Sequence, residues 1–347
     1  MRAAFLSLLL VTAAPAASPL PVPASSPAGS TTEQAEASDK GKGPFLLPGR
    51  EEDARVARIA FRLARSGVAR CPASVPLPGI VLQHLTQFEL ADRPGMIAAL
   101  GLDRGPAAIV VVPAGPAAQA RMQAGDVLLA IDSQPLPPET GTSDPFSAPQ
   151  AHARADRIHD MLERAAARPF TLTVLRREAT HTLNIDAPRG CRSQVFLARS
   201  DQRNAYADGR HVFLTTGLIA RLRNDDELAF LIAHEMAHNI LGHAAIMRSG
   251  AVRSGIGRTL GRSGKVIRET ERAADRLGTQ LMLDAGFDPL TGSQVLQRLG
   301  GADLGIALFQ EHDPVATRVA AIRVLVEAHG GQARGAQDQD VPGRGGH

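Results

Sequence analysis

The chain is poor in aromatic side chains and nearly balanced in charge. Its 347 residues include no Trp, one Tyr and 11 Phe, so aromatic residues make up 3% of the sequence. The formal net charge is only +3 at pH 7. Nucleic-acid-binding proteins need a marked excess of positive charge or aromatic rings interleaved with basic residues, on which bases stack. Neither feature is present, so we expect no nucleic-acid partner.

Long apolar runs are also scarce. Arg2 is followed by a short apolar stretch at residues 3–14 and by small residues at 14–18, which is the pattern of a secretory signal peptide with its cleavage site. No later segment offers the ~18 consecutive apolar residues that a transmembrane helix requires. We therefore expect a signal peptide at 1–17, no transmembrane segment in the mature chain and a periplasmic location, with secretion as the alternative.

The sequence has two cysteines, Cys71 and Cys191. Neither lies in a Cys-x-x-Cys motif, which argues against metal binding through cysteine. Exported proteins meet an oxidising compartment, in which disulfides form and persist. We predict a Cys71–Cys191 disulfide that ties down both ends of the segment between them.

The most informative motif is His-Glu-Met-Ala-His at residues 234–238, inside an apolar-periodic run from 228 to 243. Four residues make a little over one helical turn, so His234 and His238 project from one face and can bind one zinc ion. Glu235 lies roughly 100° around the helix. From there its carboxylate can reach a water on the metal, as the general base of a zinc protease does.

The helix that carries this motif is well specified. Asn224 and Glu227 predict a capping box at its start. The apolar residues that follow, Leu228, Phe230, Leu231 and Ile232, indicate that it is buried rather than an exposed helix with a chance match. Buried imidazoles need polar partners.

A third ligand must come from elsewhere in the sequence. His243 follows His238 by five residues, about 500° around a continuous helix, so we interpret it as a histidine at the helix end or behind a ligand. Glu271 and Asp275 are four residues apart on a second predicted helix that ends at Gly286. We predict that Glu271 binds zinc and that Asp275 orients a ligand histidine from behind. The alternative is an ordinary solvated acidic face.

Three ordered motifs carry a resemblance to a known family, over roughly residues 195–327. The first comprises 204–209, 212–218, 226–229 and 234–238, the second 271–278 and 285–289, and the third 312–318. Together they resemble the HtpX and CAAX prenyl protease family of zinc metalloendopeptidases, and most closely its soluble, BepA-like periplasmic members. In the third motif Asp313 moves the proline one position later than in the family pattern.

The resemblance implies a gluzincin-type fold in which His234, His238 and Glu271 bind one zinc ion per chain. It also implies that Glu235 activates the attacking water.

His312 and Arg318 match a His and an Arg that the family places beside the metal. The resemblance makes them candidate partners of the oxyanion that develops during peptide hydrolysis. We also expect the strand at 211–216 to offer an edge to which an extended substrate adds as a further strand.

The region before these motifs resembles a bacterial PDZ domain. Residues 108–118 predict a strand and a small-residue turn into a short helix, and 123–132 predict a Gly-Asp turn into a buried strand. Residues 153–167 would be the domain's helix, with 170–175 and 181–185 as its closing hairpin. The sequence leaves open whether this domain binds peptides or is a packing or regulatory module.

The predicted fold class is α+β, with a mainly helical gluzincin-type zinc metallopeptidase domain that contains a small sheet and follows a PDZ-like β-rich domain. The predicted boundaries are a signal peptide at 1–17, a flexible linker at 18–50, an N-terminal helix at 51–76, the PDZ-like domain at 77–190, the metallopeptidase domain at 191–329 and a disordered tail at 330–347.

The function expected from these observations is zinc-dependent endoproteolysis of protein or peptide substrates. Misfolded or misassembled envelope proteins are the expected substrates, and envelope or outer-membrane assembly factors are candidate partners. One alternative is a non-catalytic periplasmic chaperone or scaffold with structural zinc, although such a site has no use for the carboxylate of Glu235. Another is an exopeptidase, although no recognisable feature would capture a free chain terminus.

Overall fold

The computed structural model describes residues 47–165, 169–249, 261–299 and 313–339. The predicted signal peptide, nearly all of the predicted linker and His312 lie outside these ranges. Among the described residues, no helix combines the length and the apolar character needed to cross a bilayer.

The described residues form helices and strands in a mixed arrangement that agrees with the predicted α+β class. The helices are α1 (Glu51–Ser66), α2 (Arg93–Leu100), α3 (Pro116–Gln119), α4 (Ala148–Ala165), α5 (Thr216–Ile219), α6 (Asp225–Ile240), α7 (His243–Arg248), α8 (Gly261–Asp284), α9 (Pro289–Leu299) and α10 (Val315–Gln339). The strands are β1 (Ser74–Pro76), β2 (Ile80–Gln83), β3 (Ala107–Val111), β4 (Val127–Ile131), β5 (Gln134–Pro135), β6 (Phe170–Arg176), β7 (Ala179–Ile185), β8 (Arg189–Cys191), β9 (Gln194–Ala198), β10 (Ala205–Ala207) and β11 (His211–Thr215).

The N-terminal β-rich domain is built on an antiparallel sheet with the strand order β2-β3-β4-β6-β7, to which β5 adds by pairing with β4. The predicted closing hairpin is present as β6 and β7, paired from Phe170 and Ile185 to Arg176 and Ala179. Alternate residues of β6 are buried, as expected of a strand with one face on a core. Helix α4 covers this core with buried apolar side chains.

Helix α1 joins the two halves of the molecule. Val56, Ile59 and Leu63 pack into the core of the helical half, whereas Ala57 packs against the β-rich domain. The helix ends at Ser66, and the rest of the segment predicted as helix forms a short 3-10 turn and strand β1.

A disulfide joins Cys71 to Cys191, with their Cα atoms 5.5 Å apart. Strand β1 pairs antiparallel with β8, so that Ser74 lies opposite Cys191. The covalent bond and the strand pair therefore close off the ends of the β-rich domain, 120 residues apart in sequence.

The small sheet of the helical half has the order β10-β11-β9. Strand β11 pairs antiparallel with β10 on one side and parallel with β9 on the other. The expectation that residues 211–216 offer a free sheet edge is therefore wrong, because both sides of β11 are already hydrogen bonded. The edges are β9 and β10.

Helix α6 is the centre of the helical half and is packed by α1, α8, α9 and the small sheet. Asn224 caps it as predicted, because its side chain accepts from the backbone N–H of Glu227 at 2.9 Å. The Glu227 carboxylate reaches back one residue further than a capping box requires, to the N–H of Arg223 at 2.7 Å, and also pairs with Arg298.

Helix α8 crosses α6 at a glycine. A Cβ atom at Gly278 would lie 3.1 Å from the backbone N of His234 and 3.2 Å from the carbonyl carbon of Ala233. These neighbours are backbone atoms of a buried helix, which have little room to move. The absence of a side chain at 278 therefore allows the two helices to approach closely.

The ends of α8 and α10 refine or differ from the predicted boundaries. Helix α8 stops at Asp284, and Gly286 has the left-handed φ of +69° that suits a residue just after a helix. Helix α10 continues to Gln339, so residues 330–339 are helical where the sequence predicts a disordered tail.

We expect the Cys71–Cys191 bond to stabilise the fold. In the double variant Cys71→Ser/Cys191→Ser, the loop of about 120 residues is no longer closed in the unfolded chain, and the free energy of unfolding should fall by about 2–5 kcal/mol. Urea unfolding measures this, and reduced wild-type protein should match the variant. Peptide mapping without reductant that finds both thiols free would contradict the pairing.

The close approach at Gly278 predicts a second effect. Gly278→Val should destabilise the protein by about 1–3 kcal/mol more than Gly330→Val, because only the first forces α8 away from α6. Gly330 is a matched control, since it is also helical and a Cβ there would meet nothing within 4 Å. Thermal unfolding of the two variants gives the difference, and equal losses would show that the helices can separate without cost.

Candidate metal centre

Two neighbouring helices supply the side chains of the candidate metal centre. His234 and His238 lie one turn apart on α6, and Glu271 lies on α8, which packs across it. The Nε2 atoms of the two histidines are 3.2 Å apart. The Oε2 atom of Glu271 lies 3.3 Å from Nε2 of His234 and 3.4 Å from Nε2 of His238. Three donor atoms from residues far apart in sequence therefore meet at one point.

These distances fit a tetrahedral zinc site. Ligands about 2.1 Å from a tetrahedral zinc ion are separated from one another by ~3.4 Å. The observed separations of 3.2–3.4 Å agree with that value. Among the described residues, His234, His238 and Glu271 form the one group of three or more suitable side chains whose donor atoms converge.

The charges around the centre also favour a cation. Burial lowers the pKa of His234, but hydrogen bonds to Asp275 and Glu271 outweigh burial and raise that pKa to about 10. When no metal is bound, the imidazole of His234 thus holds its second proton strongly, because it faces the carboxylates of Asp275 and Glu271. A site that retains a proton so firmly stabilises positive charge, as a metal site must.

A buried chain of polar contacts fixes the orientation of His234. Its Nδ1 atom lies 3.0 Å from Oδ1 of Asp275. Arg318 donates from Nε and Nη2 to the two oxygens of the same carboxylate, both at 2.7 Å. Burial would raise the pKa of Asp275, but Arg318 and His234 hold it well below its usual range. An ionised Asp275 keeps the proton of His234 on Nδ1, which leaves the Nε2 lone pair to bind a metal.

Arg318 lies beside the centre, and its guanidinium is buried against Asp275. Its predicted contact with a developing oxyanion stays a prediction. We assign it the role of holding Asp275 and, through it, His234. His312, the other residue proposed for the oxyanion, lies outside the described residues, and its role stays a prediction.

His243 lies behind the second histidine ligand. Helix α6 ends at Ile240, and Gly242, with a left-handed φ of +68°, starts the separate helix α7 at His243. The chain thereby turns back and places Nδ1 of His243 3.0 Å from Nδ1 of His238. Burial and the charge of His238 lower the pKa of His243 to about 4. A neutral His243 can accept a hydrogen bond from Nδ1 of His238, which leaves Nε2 of His238 for the metal.

The carboxylate of Glu235 is buried next to the centre, with 4% of the residue exposed. Burial raises the pKa of Glu235, while His234 and His238 lower it by a smaller amount. A carboxylate whose pKa is raised toward neutrality is better suited to take up and return a proton near pH 7 than an exposed one. Its environment therefore fits a general base.

Comparison with known protein families bears on this arrangement. The sequence model of peptidase family M48 matches residues 173–257. No curated protein matches the chain. The matched segment contains the small sheet's central strand, α6 and α7, and so includes His234, Glu235 and His238. It ends before α8, so the assignment of Glu271 depends on the geometry alone.

The match supports a metallopeptidase of family M48, whose members depend on zinc. The geometry agrees with that family, because the three converging side chains are of the types that zinc prefers.

The ligand assignment predicts an order of zinc affinities. Glu271→Ala removes a donor atom and should weaken zinc binding more than 100-fold, whereas His243→Ala removes only the partner of His238 and should cost about 10–100-fold. Glu269→Ala is the control, since Glu269 lies exposed on the same helix. Competition with a fluorescent chelator measures the affinities, and a greater loss in His243→Ala than in Glu271→Ala would overturn the assignment.

Proposed function

We propose that the protein is a zinc-dependent metalloendopeptidase that hydrolyses peptide bonds of envelope proteins with Glu235 as general base. One observation carries the proposal: three donor atoms converge between α6 and α8, and the buried carboxylate of Glu235 follows the first of them on the same helix. The family match supports the more general part of this proposal, that the protein is a metallopeptidase.

The number of ligands favours a catalytic site over a structural one. Structural zinc sites have four protein ligands, whereas catalytic sites have three and leave the fourth position for water or substrate. Three protein donors converge here among the described residues. A non-catalytic chaperone or scaffold with structural zinc is therefore not favoured.

His234, His238 and Glu271 would hold the ion in this reaction. Bound in such a site, zinc lowers the pKa of water toward neutrality and polarises the carbonyl group of the scissile peptide bond. Glu235 accepts the proton of the attacking water on its carboxylate and then donates it to the nitrogen of the departing amine. Asp275 and Arg318 keep His234 in the tautomer that binds metal throughout.

An extended substrate can be held at the small sheet. Peptides commonly bind proteins by adding a strand to an exposed sheet edge. Strand β10 is an edge of this sheet and lies against α6, which carries the histidines. We propose β10, in place of the central strand β11, as the edge that a peptide substrate pairs with.

The biological setting follows from sequence features that lie mostly outside the described residues. The signal peptide predicted at 1–17 favours export to the periplasm, where misfolded or misassembled envelope proteins would be the substrates. The likeness to BepA-like members and the PDZ-like interpretation of residues 77–190 belong to the same proposal.

The role of Glu235 has a direct test. Glu235→Gln keeps the size and burial of the side chain but cannot accept the proton, so cleavage of an unfolded protein such as casein should fall by about 10²–10⁴-fold. Zinc content and thermal stability should be unchanged, and Glu269→Gln on the exposed face of α8 should cleave at the wild-type rate. Full cleavage by Glu235→Gln at unchanged zinc content would contradict the proposed mechanism.

A further inference from the structure

His211, at the start of β11, lies between two carboxylates from different parts of the chain. Its Nδ1 atom is 2.8 Å from Oδ2 of Asp208, in the turn just before β11. Its Nε2 atom is 2.7 Å from Oδ1 of Asp156, which lies on α4 of the β-rich domain. The residue is buried, with 4% of its surface exposed. One imidazole thus bridges the β-rich domain and the sheet of the helical half.

Both contacts can be hydrogen bonds only if His211 carries a positive charge. A neutral imidazole has one N–H group, and an ionised carboxylate can only accept. Burial lowers the pKa of His211, but hydrogen bonds and charge attraction from Asp208 and Asp156 outweigh burial and raise it. Burial would raise the pKa of Asp208, but hydrogen bonds to His211 outweigh burial and hold that pKa well below its usual range. The bridge is therefore an imidazolium held by two carboxylates.

The other charged groups at this contact support the same arrangement. Arg210 donates to Asp160 of α4 at 2.6 Å and lies 3.2 Å from Asp156. Arg192, next to β8, pairs with Glu163 of α4 at 2.9 Å. His159 of α4 is also buried at this contact, and burial lowers its pKa to about 4, so it is uncharged at neutral pH.

A partly open cavity of about 140 Å³ lies beside this contact, where α4, β2 and α1 face β9. Its lining includes His159 and Glu163 of α4 and Arg192 of the helical half. The contact is therefore not close-packed on this side.

The opposite side of the His211 segment is bound to the helix that carries the metal ligands. Asn239 follows His238 on α6, and its side chain accepts from the N–H of Gly209 at 2.8 Å. It donates to the carbonyl oxygen of His211 at 3.0 Å and to Oγ of Ser193 at 3.1 Å. The segment 208–211 is thus held by α4 on one side and by α6 on the other.

We propose that His211 and Asp156 are positioning residues which clamp α4 to segment 208–211 and, through Asn239, help to hold His238 in place for catalysis. The catalytic part of this inference rests on the proposed function, whereas the clamp itself does not. The clamp requires a protonated His211. It is complete below the ordinary histidine pKa of about 6.5 and is lost as the pH rises through the raised pKa of His211.

The first test is the titration of His211 in the full chain. NMR of the imidazole carbons, assigned by the signal missing from His211→Gln, should give a pKa above that of an ordinary histidine. Asp156→Asn should lower it by about one unit or more, because a carboxylate within hydrogen-bond distance is lost. Asp160→Asn, a change on the same helix that leaves both His211 contacts intact, should alter it less. A wild-type pKa at or below 6.5, or one unchanged in Asp156→Asn, would overturn the clamp.

The second test separates the clamp from the peptidase activity. One pKa unit corresponds to a tenfold change in equilibrium. Amide hydrogens of α4, corrected for intrinsic rates, should therefore exchange about tenfold faster in Asp156→Asn than in wild type below the pKa of His211, and equally fast above it. If the wild-type protein is active, its kcat should fall as the pH rises through the pKa of His211, because the clamp is then lost. Asp156→Asn should lower kcat below this pKa, leave KM unchanged and abolish the fall at higher pH.

The outcomes distinguish the two proposals. If the protein has no peptidase activity, but the amide exchange of α4 and the titration of His211 agree with the expectations above, the clamp is retained and the proposed function is refuted. Normal peptidase activity with α4 exchange that is independent of pH and of Asp156 would refute the clamp. Wild-type kcat in Asp156→Asn despite a faster exchange of α4 would refute its link to catalysis.

Discussion

The backbone contact between α6 and α8 is the constraint on which the candidate centre depends. Gly278 brings α8 to within van der Waals distance of the backbone at Ala233 and His234. Asp275 and Glu271 lie one and two turns earlier on the same face of α8, because residues three, four and seven apart share a helix face. The small residue at 278 therefore helps to set the separations of 3.3 and 3.4 Å between Oε2 of Glu271 and Nε2 of the two histidines.

The burial of charged side chains imposes a second requirement on the candidate centre. Buried ionised groups are tolerated only when they are paired. Arg318 neutralises Asp275, whereas the carboxylate of Glu271 faces the two imidazoles, which are neutral when they bind metal. A cation at the meeting point of the three donor atoms completes the pairing. The same principle explains the contact at His211, where an imidazolium balances two carboxylates from distant parts of the sequence.

The sequence predicts well what depends on helical periodicity. The pairing of His234 with His238, the cap at Asn224 and the positions of Glu271 and Asp275 all follow from residues four or so apart on one helix. Periodicity also predicts that His243 lies at the helix end or behind a ligand, but its contact with His238 depends on the left-handed turn at Gly242, which no periodicity specifies. The central place of β11 and the burial of Arg318 against Asp275 are tertiary contacts, which no local pattern specifies. The bridge from His211 to Asp156 joins residues 55 positions apart in sequence and cannot be predicted for the same reason.

X-ray absorption at the zinc edge tests the central claim, the ligand set, most directly. The sample is the zinc-loaded Glu235→Gln variant, in which substrate turnover cannot disturb the site. The account predicts nitrogen and oxygen ligands at about 2.0–2.2 Å, the multiple-scattering signal of two imidazoles and no sulfur. In a parallel Glu271→Ala sample, in which water can take the place of the carboxylate oxygen, the scattering from the carboxylate carbon should be lost and that of both imidazoles kept. A third imidazole in the first sample, or an unchanged spectrum in the second, would contradict the account.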